Sequence, residues 1–150
     1  MSQSQTSERI QAFVSRAGWY SLRHPIEWTV EEDETCVELC DPEQGFGALH
    51  ISAYQTPAPV DPREELLDAL SDYEPPPKAE DVAVTLDGTK KVASFESVSN
   101  LSFQKTWYIS DKSYLVLVTY NCGDENKDKE LEKVEDIVRS IELEPKISRN

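Results

Sequence analysis

Apolar positions change their period several times along the chain, and those changes mark out its elements. The clearest unit runs from Ser102 to Ile141. Phe103, Lys105, Trp107 and Ile109 share one face of an alternating strand, and Ser110, Asp111, Lys112 and Ser113 turn the chain into the apolar run Tyr114 to Tyr120. That run reads as a central strand. After Gly123, Leu131, Val134, Ile137, Val138 and Ile141 fall on one stripe of an otherwise charged helix, which must lie against a sheet.

Upstream, Ile10, Phe13, Val14 and Ala17 recur at helical spacing behind Ser7 and Glu8, with Gly18 where a helix would terminate. The spacing predicts a short amphipathic helix. From Trp19 the period shortens: Trp19 to Arg23, Glu27 to Glu31, Thr35 to Cys40 and Ala48 to Tyr54 read as four strands. Asp61, Pro62 and Glu64 then have the order of a helix cap, first helical residue and capping-box partner, with Leu66, Leu67, Leu70 and Tyr73 as the buried side. Prolines at 57, 59, 75, 76 and 77 bracket that helix as stiff connectors. Val82 to Leu86, Asp87-Gly88, then Thr89 to Val98 is a hairpin signal, because Asp-Gly accepts the positive φ angles of a tight primed turn.

The expectation is an α+β domain over residues 1–150: a predominantly antiparallel sheet of about seven to eight strands with helices on both faces, and about five disordered residues at each end. Its 150 residues suit one domain with its own core. Fifteen Lys and Arg against 29 Asp and Glu give a net charge of −14, which disfavours nucleic acid and anionic membranes as partners. No apolar run approaches the ~20 residues of a membrane-spanning helix. The polar start, Met1 to Thr6, leads to an expectation of a cytoplasmic protein with three reduced cysteines.

Trp19 to Val30, with its alternating strand, His24-Pro25, Trp28 and second strand, resembles the opening of PsbP-like domains. The strand Leu115 to Tyr120 followed by a helix ending Ile137, Val138, Arg139, Ser140, Ile141 is similar to their close. The resemblance implies an antiparallel sheet covered by helices, in a superfamily that includes the photosystem II protein PsbP, Ran-binding import factors and type VI effector chaperones. It implies work by protein binding and carries over no catalytic residue.

Three groups of residues have the types needed for chemistry. Cys36, Glu38, Cys40 and His50 make a nominal zinc set, but cysteines four apart on a strand lie about 13 Å from each other at about 3.3 Å per residue, too far for one ion or a disulfide. Cys122 lies near a helix start but beside Asp124, Glu125 and Asp128, which oppose a thiolate; it reads as a packing thiol. Asp124, Asn126, Asp128, Glu130 and Glu135 imitate a calcium loop, with Lys129 where the turn demands Gly, so a helix start with acids at its positive end is the preferred reading. No phosphate loop, nucleophile elbow or metalloprotease motif is present.

The sequence therefore leads to a non-enzymatic protein-binding module or chaperone without a cofactor. Its expected surface combines the acidic turn Glu31, Glu32 and Glu34 with His50, Tyr54, Tyr108 and Tyr120, and its expected partner is a protein, basic in character. Two other readings stay open: an acidic immunity protein that neutralises a basic toxin, and a small-ligand carrier or enzyme with a pocket between helix and sheet.

Overall fold

A computed structural model describes residues 9–43 and 45–143. The strands are β1 Ile10–Val14, β2 Tyr20–Pro25, β3 Thr29–Glu32, β4 Val37–Cys40, β5 Gly47–Gln55, β6 Ala83–Asp87, β7 Lys90–Ser99, β8 Ser102–Asp111, β9 Tyr114–Gly123 and β10 Glu142–Leu143. The helices are α1 Pro62–Ala69 and α2 Lys127–Arg139. Seven strands form one sheet in the order β3-β4-β5-β9-β8-β7-β6, with β9 at its centre as the apolar run requires. Every pairing in it is antiparallel. A second sheet, β1-β2-β10, has three strands.

Strand alternation sorts the large sheet into two faces. Leu39, Leu49, Ile51, Phe103, Trp107, Ile109, Val116, Val118 and Tyr120 point to one face and join Tyr20 and Leu22 of β2 and Val134, Ile137 and Val138 of α2 in the main core. α2 and the small sheet both cover this face. The other face carries a smaller core, where Leu66 and Leu70 of the α1 segment pack with Val82 and Ala93 against Leu67, Val84, Phe95 and Tyr108. Helices therefore lie on both faces, as expected.

α1 starts where its sequence dictates: Asp61 accepts a hydrogen bond from Arg63 N at 3.0 Å, and Pro62 opens the helix. Tyr73 lies beyond its end and meets Phe95 edge-on, with ring centroids 6.3 Å apart. The last turn of α2 is secured by Lys90, whose buried ammonium donates to the carbonyls of Arg139 (3.2 Å) and Ile141 (2.7 Å).

The predicted first helix is a strand. β1 pairs in antiparallel register with β2, Ile10 opposite Pro25 and Val14 opposite Ser21. A helix of about eight residues has little stability of its own, whereas the edge of β2 offers a full ladder to a segment rich in β-branched and aromatic residues. Gly18 supplies a positive φ of 78°, but in the β1–β2 turn rather than at a helix end. The Ser15 hydroxyl closes that turn, accepting from Trp19 N (3.1 Å) and Tyr20 N (3.3 Å). β10 is the second addition to the expected list; two residues are too few to carry a period. The expectation of disordered ends falls on residues outside those described.

Candidate functional site

α1 sits over β7 and β8, which leaves the β4, β5 and β9 part of the second face without a helix among the described residues. The register lines up Glu31, Glu38, His50, Thr119 and Thr106 across that face. Two carboxylates thus stand directly opposite each other, a destabilising arrangement in an antiparallel pair. His50 Nε2 approaches Glu38 Oε2 to 3.9 Å, and both side chains are about half exposed, at 40% and 46%. Along the same face Tyr54 is exposed and Tyr108 is half-buried against α1. Burial, then the nearby charges of Tyr54 and Glu65, pushes the Tyr108 phenol above its ordinary value.

The acidic turn divides. Glu31 joins the open face, whereas Glu32 shares its side of β3 with Val30 and turns toward the β1–β2 turn. There Glu32 Oε2 accepts from Arg16 N at 2.7 Å, and the Arg16 guanidinium donates to the Glu32 carbonyl at 3.2 Å. Glu34 sits at the exposed turn tip, beside Asp33, whose carboxylate accepts from Thr35 N and Cys36 N at 2.8 Å each. These two backbone bonds hold Asp33 below the ordinary carboxylate value. β3 is also a short edge strand, and its charges discourage strand addition to the sheet.

Tyr120 does not belong to this surface. It lies on the opposite face, fully buried, and its hydroxyl donates to Glu130 Oε1 at 2.7 Å. Alternation along β9 sends residues 116, 118 and 120 to the main core, so the phenol cannot reach a partner.

Glu130 is the residue whose role the sequence reading missed, since it entered there only as one of the calcium-like acids. It is 4% exposed, and the same oxygen that accepts the Tyr120 hydrogen bond also accepts from Gly47 N (3.2 Å) and Phe46 N (3.3 Å). The carboxylate ties the first turn of α2 to the start of β5 and to β9. Gly47 permits the approach: a Cβ there would stand 2.1 Å from the Asn121 carbonyl oxygen. A signal did exist, because 130 continues the stripe of 134, 137, 138 and 141. An acid on an apolar stripe needs buried donors.

The nominal metal residues do not converge. Among the described residues no three His, Cys, Asp or Glu side chains are placed to hold a metal ion. Cys36, Cys40 and Cys122 are all free thiols. Burial raises the Cys122 thiol, the Tyr120 hydrogen bond partly opposes this, and Glu130 and Asp124 add to the rise. The calcium-like segment is a 3-10 turn, Asp124–Asn126, running into α2. No described helix is long and apolar enough to cross a membrane.

Solved structures share this architecture. A Bacteroides thetaiotaomicron protein superposes with a TM-score of 0.70 at 17% identity over 90% of this chain, which spans 48% of that protein's length. The PsbP protein of the cyanobacterium Synechocystis gives 0.63 at 10% identity, covering 95% of this chain and 98% of that one. The Ran-binding protein Mog1p of Saccharomyces cerevisiae gives 0.55 at 12% identity, covering 92% and 97%. At these identities the likeness is one of fold, and the fold is PsbP-like. No curated protein matches the sequence. A family model described as a domain of unknown function, DUF3805, matches residues 8–149, and the chain belongs to that family.

Proposed function

We propose that this domain is a non-catalytic protein-binding module that holds a basic partner against the open β4, β5 and β9 part of its large sheet. One observation carries the reading: Glu31 and Glu38 oppose each other on a half-exposed face next to His50 and Tyr54. Opposed carboxylates cost stability in the free protein, and a cationic surface docked across them relieves that cost. The net charge of −14 favours encounter with such a partner. That Mog1p is a Ran-binding protein supports a PsbP-like sheet serving as a platform for another protein. The three free cysteines suit the reducing cytoplasm, where we place it.

The test is the affinity of a partner captured from host lysate for the wild type and for Glu31→Lys/Glu38→Lys. Reversing both charges weakens binding by tenfold or more, on the order of the effect of unpairing docked charges, and raised salt weakens the wild type in the same direction. Unchanged affinity contradicts the reading. The immunity-protein form of the proposal adds that association with the wild type is fast and falls steeply with salt.

A further inference from the structure

A cavity of about 350 Å³ opens between the β1–β2 turn, the β3–β4 turn and the middle of β5. Its volume is at the small end of ligand pockets, which run from about 300 to 1,000 Å³. Trp19, Val37, Ile51 and Ala53 give it apolar walls, and Glu32 and Glu34 bring carboxylates to its rim. Trp19 is braced by Tyr114, their ring centroids 5.9 Å apart.

Two features separate this cavity from an ordinary surface dent. Tyr20 lines it and is 2% exposed, yet its hydroxyl has no hydrogen-bond partner among the described residues. An unpaired buried hydroxyl is unfavourable, so this wall of the cavity is held at a cost to the free protein. Burial first, then the charges of Glu32 and Cys36, raises this phenol far above its usual range, so it stays neutral and adds no negative charge of its own to the acidic rim. The second feature is charge. Three carboxylates, Glu32, Asp33 and Glu34, meet one guanidinium, Arg16, around the opening. Arg16 already bonds Glu32, and Asp33 is occupied by backbone N–H groups, which leaves Glu34 the carboxylate with least engagement.

We propose that this pocket binds a small organic cation, an ammonium or guanidinium group on an apolar or aromatic stem. The stem lies along Trp19, Ile51 and Ala53, and the cation meets Glu32 and Glu34 at the rim. An indole beside carboxylates is suited to such a group because the ring face attracts cations as well as apolar surface. The cation has two possible sources, a free amine or an arginine or lysine side chain, and the inference does not depend on the protein-binding reading.

The test is an amide and indole NMR titration of the full chain with benzylamine, agmatine, the neutral isostere benzyl alcohol and a blocked Gly-Arg-Gly peptide. Benzylammonium or agmatine gives saturable shifts at Trp19, Tyr20 and Ala53, and benzyl alcohol binds several-fold more weakly. Glu34→Gln, at an exposed turn, reduces cation affinity about two- to fivefold, the scale of a partly exposed ion pair. Peptide tighter than agmatine assigns the cation to a protein chain, and the reverse assigns it to a metabolite. Absence of saturable shifts, equal binding of benzyl alcohol, or undiminished affinity in Glu34→Gln overturns the proposal.

Discussion

Replacing Glu130 tests how far one buried carboxylate holds the two sides of the domain together. In Glu130→Ala the Tyr120 hydroxyl, within a fully buried side chain, loses its acceptor, which costs about 1–3 kcal/mol. The amides of Phe46 and Gly47 lose a charged acceptor as well, but both are partly accessible, so water recovers some of that bonding. Removing the desolvated charge returns a further part. The balance is a destabilisation of about 3 kcal/mol, or a midpoint shift of about 1.5 M urea at an m-value of about 2 kcal/mol/M. Tyr120→Phe leaves the carboxylate its two amide donors and costs about 1–2 kcal/mol. The double variant orphans no hydroxyl, so it is less destabilised than the sum of the singles by about 1–2 kcal/mol. Urea unfolding followed by tryptophan fluorescence measures all four proteins. A Glu130→Ala shift below about 0.5 M, or additive single variants, refutes the account.

Alkaline pH and backbone crowding give two further tests. The Tyr20 and Tyr120 phenols are both raised from 10.0, mainly by burial, so the folded state keeps protons that the unfolded state releases. Their stabilisation is complete below pH 10 and is lost as pH rises toward the folded values, at about 1.4 kcal/mol per pH unit for each phenol. Denaturant midpoints that stay level between pH 10 and 11 contradict this burial. Gly47→Ala places a Cβ against the Asn121 carbonyl in the β5–β9 ladder and lowers stability by about 2–4 kcal/mol. A thermal midpoint within a degree of wild type contradicts that geometry.

Much of the fold was legible because its signals are local. The eight strands from Trp19 to Tyr120 follow from alternating stretches, or for β9 a continuous apolar run, bounded by turn residues, α1 from Asp61-Pro62, and α2 from its apolar stripe. What misled at Ile10 to Ala17 was a spacing compatible with a helix; the free edge of β2, a tertiary feature, decided for a strand. Gly18 served either reading, since a helix end and this hairpin both need a positive φ. Tyr120 was misassigned for another reason. β9 is apolar on both faces from Tyr114 to Val118, so the sequence does not say which face meets α2. The acidic turn showed its charge but not its division, which depends on the register that places Glu31 opposite Glu38 and Glu32 opposite Val37. The pocket beside Trp19 lies between segments distant in sequence and left no local mark.

The central claim is that a partner docks on the open β4, β5 and β9 face. Amide hydrogen exchange of the domain, free and with its partner bound, tests it most directly. The account predicts new protection at Glu38, His50, Tyr54 and Thr119, with β1, β10 and α2 unchanged. Protection confined to α2 or to the β1-β2-β10 sheet would contradict it.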